Sequence, residues 1–304
     1  MKKNKIAVIG LSGESIFMKM DHFNEEGETV VVDTYHVEYG GKGYNQAVAA
    51  KRFGANVSFL TVVGDDEIGR NVKESLDNEG INSTVIVKNN AKTASACILI
   101  DKKGRNRVIC YPGISSAMTK EDVYSFEEEI KTSKYLLLQL EMSNESLFAA
   151  VELANKYNTH VILNPAPAKP LPSDILSKVY LLTPNEQEAS VIFGNEDLQS
   201  LKCKKVIITK GDEGAVLKED NNIYSIPTIK VTPVNTTGAG DTYNGILAAS
   251  LLNGKTIYES CLIAGIGASI SVTREFVIDS IPYLDEVLNA YNLYLDKKNT
   301  VKLE

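Results

Sequence analysis

At 304 residues, with 43% hydrophobic and 23% charged positions, the chain can bury a substantial core, and its composition excludes a disordered or fibrous protein. A formal net charge of −7, with Lys and Arg scattered rather than striped, argues against a nucleic-acid partner. No apolar run reaches the length of a membrane span, and Cys97, Cys110, Cys203 and Cys261 lack metal-ligand spacing; a cytoplasmic protein with reduced thiols, no membrane partner and no structural zinc is expected.

Residues 6–10 follow a short basic start and read as a strand buried on both faces, too short and too soon broken by Gly10 to be a signal peptide. Between 14 and 39, β-branched and aromatic residues predict strands, notably at 29–32 and 34–37. A second pair at 94–100 and 107–111 is joined by the turn residues Asp101-Lys102-Lys103-Gly104. These inserts, at 13–40 and 93–112, are expected to form a small sheet beside the main body.

The remainder alternates. Helical spacing at 45–53 ends at Gly54, a strand pattern covers 57–63, and a helix at 67–79 ends at Gly80. Buried-strand runs at 135–140, 161–164, 180–183 and 206–209 are interleaved with helices at 144–157 and 186–193, and helical stretches at 242–252, 257–272 and 283–294 close the chain. Such alternation predicts an α/β fold, a mostly parallel sheet covered by helices on both faces, in a single domain over 1–304. Ligands of such sheets bind beyond the carboxyl ends of the strands. Gln139-Leu140-Glu141, Asn164-Pro165-Ala166-Pro167, the run from Thr183 to Glu188, and Thr209-Lys210-Gly211 each directly follow a strand, which places a site on one edge of the sheet.

Four constellations carry chemistry. Asn235-Thr236-Thr237-Gly238-Ala239-Gly240-Asp241 precedes an apolar helix; its glycines let several N–H groups converge on an anion, with Asp241 at the edge to accept a proton. A tight turn with a capping aspartate fits the same residues. Gly40-Gly41-Lys42-Gly43-Tyr44-Asn45-Gln46 lacks the spacing of a P-loop or a dinucleotide fingerprint and suits a polyhydroxylated ligand, or is a glycine-rich turn with Lys42 in solvent. Glu141 could accept hydrogen bonds from neighbouring hydroxyls, or cap the helix near Asn144. Asn185 and Glu188 share a face of the first turn of a helix, where they could hold hydrated magnesium beside phosphate oxygens; a capping pair gives the same pattern.

In their order these motifs, from Ile6 to about Pro282, together with Val63-Gly64-Asp65-Asp66 and Val272-Thr273-Arg274, resemble the ribokinase family of PfkB-type carbohydrate kinases. The resemblance implies a ribokinase-like fold whose small sheet is a lid that covers the sugar and pairs subunits into a homodimer. It implies an ATP-dependent kinase acting on the primary hydroxyl of a pentose, D-ribose to D-ribose 5-phosphate, with Asp241 as base and the Gly238, Ala239 and Gly240 amides stabilising the transferring phosphoryl group. Gly41, Lys42, Gly43, Asn45 and Glu141 would hold the sugar. Asn185, Gly240 and the loop Thr209, Lys210, Gly211, Asp212, Glu213 and Gly214 would contact ATP, and Glu188 would organise Mg2+. A kinase for another sugar or a nucleoside is the alternative on the same fold; a non-catalytic nucleotide- or sugar-binding regulator would have no need of Asp241.

The chain departs from the family in two places. Gly13 and Ser15 stand where the family's sugar-gripping Asn-x-Asp pair is found, and loss of a charged hydrogen bond, about 1.5–3 kcal/mol, would weaken or redirect sugar choice. The positions matching the family's potassium site are Asn235, Thr237, Ser271, Arg274, Phe276 and Ser280, with neutral Asn235 replacing an aspartate and the loop after Arg274 lacking the usual glycine. Asp279 is expected to restore the missing charge, and potassium activation to be weakened or altered.

Overall fold

The computed structural model describes residues 3–300 except 195, 197 and 202. The strands, in chain order, are β1 (Ile6–Ile9), β2 (Gly13–Met20), β3 (Thr34–Gly40), β4 (Val57–Gly64), β5 (Asn82–Lys88), β6 (Ala94–Asp101), β7 (Asn106–Tyr111), β8 (Tyr135–Leu138), β9 (His160–Leu163), β10 (Leu181–Leu182), β11 (Lys205–Thr209), β12 (Ala215–Glu219) and β13 (Asn222–Ile226). The helices are α1 (Lys42–Arg52), α2 (Glu67–Asn78), α3 (Lys120–Tyr124), α4 (Glu127–Thr132), α5 (Asn144–Lys156), α6 (Ser173–Lys178), α7 (Glu186–Phe193), α8 (Ala239–Leu252), α9 (Ile257–Ser271) and α10 (Leu284–Thr300).

Period-two alternation explains the layering. Ile6 and Val8 of β1 enter one hydrophobic core, with α1, α8 and α9, while Ala7 and Ile9 enter the other, with α5. Tyr135 and Leu137 of β8 alternate with Leu136 and Leu138 in the same way. A strand apolar on both faces needs a helical layer on each side, and that is the arrangement found. The sheet runs β13-β12-β11-β10-β9-β8-β1-β4-β5. It is parallel from β11 to β5 and antiparallel only through β12 and β13.

The inserts make a separate sheet ordered β3-β2-β6-β7. Its β6–β7 turn forms where expected, with the Asp101 carboxylate accepting the Lys103 and Arg105 N–H groups at 3.0 and 2.9 Å. Residues 29–32 are a correction, since they lie outside any strand and Val31 is 84% exposed. β2 ends at Met20 and Asp33 N–H already bonds the Lys19 carbonyl, so β-branched propensity at 29–32 had no strand to pair with. β5, β12 and β13 are strands that the periodicity did not single out.

Candidate active site

Beyond the carboxyl ends of β8, β9 and β10, the side chains of Gln139, Asn164 and Thr183 are wired into one buried chain. Gln139 Nε2 donates to Gln46 Oε1 at 2.6 Å, and Gln46 Nε2 donates to Asn164 Oδ1 at 3.1 Å and to Asp241 Oδ1 at 3.0 Å. Asn164 Nδ2 donates to the Thr183 carbonyl at 3.2 Å, Thr183 Oγ1 to Asn244 Oδ1 at 2.6 Å, and Asn244 Nδ2 to the Gly240 carbonyl at 2.8 Å. Helices α1 and α8 are thereby fixed to the same sheet edge.

Asp241 sits in the first turn of α8 and is 6% exposed. It caps nothing: its other oxygen, Oδ2, accepts Asn45 Nδ2–H at 2.9 Å, and the helix has no side-chain cap. The first-turn N–H groups of a helix have no i−4 carbonyl; here Ala239 N–H makes a turn bond to the Thr236 carbonyl at 3.3 Å. Gly238, the N-cap, has φ 77°, and a Cβ there would lie 2.5 Å from Val277 Cγ1, so the turn into α8 requires glycine.

Asn45 Oδ1 is buried without a hydrogen-bond partner among the described residues. Since Nδ2 is held by Asp241, this orphan oxygen is fixed as an acceptor next to the carboxylate, placed for a ligand hydroxyl. Lys42 N–H donates to Glu141 Oε2 at 3.0 Å, tying the start of α1 to the loop after β8. Burial lifts the Glu141 carboxyl to about 7, the Asp241 charge adding to this and Lys42 opposing it. For Lys42 the balance is reversed: Asp241 above all, then Glu141 and Glu188, hold its ammonium above its ordinary range against burial.

Gly41 precedes α1 and Gly43 lies in its first turn. Gly13 and Ser15 pair with Gly40 and Glu38 of β3. A Cβ at Gly13 would lie 2.4 Å from the Ala94 carbonyl oxygen, so the close approach of β6 occupies the space a larger side chain would need.

Asn185 and Glu188 form a reciprocal capping box, with Glu188 N–H donating to Asn185 Oδ1 at 2.8 Å and Asn185 N–H to Glu188 Oε2 at 2.9 Å. Glu188 is buried, and burial raises its carboxyl while the Asn185 amide and Lys42 pull it down. An oxygen-donor acid in such a place suits a hard divalent cation.

A cavity of about 720 Å3 adjoins this corner. Asn185, Thr209, Lys210, Gly211, Asp212 and Gly214 border it, as do Ala239 and Gly240 immediately before Asp241; exposed Glu213 does not. Ile226, Thr228, Tyr243, Ala268 and Val272 also line it and were not anticipated. For Ile226, at the end of β13, the signal was present in Glu219-Asp220-Asn221-Asn222, turn residues between the apolar runs of β12 and β13; Tyr243, Ala268 and Val272 sit in or just after apolar helices and carry no local signal. The size is that of a small-molecule site.

At the expected potassium site, Asn235 Oδ1 accepts Thr237 N–H at 3.0 Å, and Nδ2 donates to the Phe276 carbonyl at 3.3 Å. The Thr237 donor fixes which end of the amide is oxygen. The Ser271 carbonyl accepts Arg274 N–H at 3.1 Å, Arg274 Nη1 reaches the Ser280 carbonyl at 3.5 Å, and Ser280 Oγ donates to the Val277 carbonyl at 2.7 Å. The Asn235 side-chain oxygen and the Ser271, Phe276 and Ser280 carbonyls thus each accept one hydrogen bond from the chain. Both ends of the Asn235 amide are taken by Thr237 and Phe276, and the Asp279 carboxylate, expected to restore the charge there, has its Oδ2 3.8 Å from His36 Nε2.

Comparisons with known proteins agree with this geometry. The model of the pfkB family carbohydrate kinases matches residues 3–284. A ribokinase of Schizosaccharomyces pombe is 34% identical over 318 residues, covering 97% of this chain and 99% of its own. The ribokinase crystal structure from Thermotoga maritima is similar with a TM-score of 0.85 and 34% identity, over 95% of this chain and 99% of that one. The structure of Arabidopsis thaliana ribokinase complexed with ribose and ATP has a TM-score of 0.83 and 27% identity, over 94% and 98% of the two chains. Among the described residues no helix is long and apolar enough to cross a membrane. This chain belongs to the pfkB family of carbohydrate kinases, enzymes that transfer a phosphoryl group from ATP to a sugar.

Proposed function

We propose that the chain phosphorylates the primary hydroxyl of a pentose, converting D-ribose to D-ribose 5-phosphate. One observation carries this reading. Asp241, with both carboxylate oxygens held by the amides of Asn45 and Gln46, is bonded to the residue that carries the orphan acceptor Asn45 Oδ1 and directly follows Ala239 and Gly240, which border the cavity. Sugar hydroxyls bind on the Asn45, Lys42 and Glu141 side, and ATP binds in the cavity against the Thr209 to Gly214 loop. Asp241 takes the proton of the attacking hydroxyl, and the Gly238 and Gly240 amides with the Lys42 ammonium meet the charge on the transferring group. Ribose is supported by the ribokinase relatives and by the ribose and ATP of the Arabidopsis complex.

ATP chemistry in this family calls for a divalent metal. We assign Mg2+ to Glu188, whose buried carboxylate lies within the field of Lys42 and Asp241; bound there, the ion would shield phosphate charge. Potassium is dispensable in this reading, because the Asn235 amide links Thr237 to Phe276 directly. We further propose one ribokinase-like unit with the small sheet as lid, and a homodimer through the exposed Tyr35, Val108, Ile109 and Tyr111 of that sheet. A reducing, cytoplasmic setting accords with free Cys97, Cys110, Cys203 and Cys261.

The test is ADP release with Mg2+ over a panel of pentoses, hexoses and nucleosides. Ribose should give the highest kcat/KM; a clear preference for a hexose or a nucleoside would move the assignment to that substrate, and turnover of none would remove it.

A further inference from the structure

His36 and Glu38 are two residues apart on β3 and so face the same side of the small sheet. Asp279 meets them from the loop between α9 and α10. His36 Nε2 lies 3.8 Å from Glu38 Oε1 and 3.8 Å from Asp279 Oδ2, and the ligand atoms of the three residues are all within 4.8 Å of one another. Nε2 is buried and has no hydrogen-bond partner among the described residues. At that separation neither carboxylate bonds to it, and an unpaired buried polar atom is costly.

The spacing has a simple chemical meaning. Zinc bonds of about 2.0–2.2 Å in a tetrahedral shell put ligand atoms about 3.3–3.6 Å apart; the two His36 distances need a contraction of only a few tenths of an ångström, and the two carboxylates, within 4.8 Å, need up to about 1.5 Å, which exposed Asp279 can supply. The surroundings already orient the ligands. Glu38 accepts the Val277 and Asp279 N–H groups at 2.9 and 3.1 Å, and the His36 ring stacks on Phe276 with centroids 3.7 Å apart.

We propose that His36, Glu38 and Asp279 bind a divalent transition ion of the zinc class, with water completing the shell. Imidazole with two carboxylates suits such an ion. The ion clamps the lid strand β3 to the 275–280 loop, whose Phe276 carbonyl holds the Asn235 amide ahead of α8. Sequence spacing hides the site, because Asp279 is remote in the chain from β3.

Nucleotide-free, chelator-treated protein is titrated with Zn2+ by calorimetry and with Co2+ by visible absorption. One saturable ion per chain is expected, with a Co2+ band showing a nitrogen ligand, and Zn2+ should raise the melting temperature. His36→Phe, which keeps the stack on Phe276, and Asp279→Asn should each weaken binding at least about tenfold and abolish the thermal shift. Absence of saturable binding, or binding unchanged in both variants, would overturn the proposal. Should His36→Phe not fold, Asp279→Asn at an exposed position decides by the same criterion.

Discussion

Gln46 donates one amide hydrogen bond to Asp241 Oδ1 while its carbonyl accepts another from Gln139 beyond β8, so the carboxylate is aimed by a side chain that is itself anchored to the sheet. Gln46 is wholly buried. Gln46→Leu keeps the volume but releases the carboxylate, and loss of a hydrogen bond to a charged group, about 1.5–3 kcal/mol, should lower kcat about 10–150-fold. KM for the sugar should change little. Steady-state kinetics on the folded variant checks this; an unchanged kcat would show that Gln46 does not position the base.

Asn235 joins both sides of the turn before α8 through its bonds to Thr237 and Phe276, and in the proposed reading these bonds make potassium dispensable. The wild-type rate should therefore be nearly the same with K+ or with a bulky ammonium salt at equal ionic strength. Asn235→Asp removes the donor and adds a charge, and its activity should become dependent on K+. Steep K+ activation of the wild type would contradict the geometry.

Glu141 gives a pH dependence with a definite sign. Burial raises its carboxyl to about 7 from an ordinary value of 4.5, so between those values the folded chain holds a proton that the unfolded chain has lost. This group's contribution to stability is present below 4.5 and falls as pH rises towards 7. If Glu141 holds the sugar as proposed, binding should run the other way, since the anion is the stronger acceptor of hydroxyl bonds, and kcat/KM for the sugar should rise as pH increases through 7. Glu141→Gln should flatten both profiles.

Gly238 tests the turn. An alanine would have to adopt φ 77° and meet Val277 Cγ1 at 2.5 Å. Gly238→Ala should cost about 1–3 kcal/mol of stability and lower kcat by misplacing the first-turn amides. Denaturant melts with kinetics on the same preparation would show it.

The layered sheet was legible because β1, β8 and β9 are short, continuous apolar runs, a pattern with few other outcomes. The strand-end polar motifs were legible for the same reason. What escaped was tertiary. Residues 29–32 carry β-propensity but lack a partner, whereas β12 and β13 have partners and a weak signal. The Asn185–Glu188 pair is a capping box as well as a candidate magnesium site, so either local reading was incomplete. Gln46 bonding to Asp241 joins positions far apart in the chain, and nothing in local spacing announces it. Asp279 was expected beside Asn235 because of its place in the sequence, yet the backbone of the loop turns it towards His36.

Asp241 as the base is tested most directly by ADP release from ATP and ribose by Asp241→Asn beside the wild type, with nucleotide binding measured in parallel. An asparagine fills the same space but cannot take the proton; kcat should fall about 10²–10⁴-fold with nucleotide affinity retained. A folded Asp241→Asn enzyme that phosphorylates ribose at the wild-type rate would contradict it.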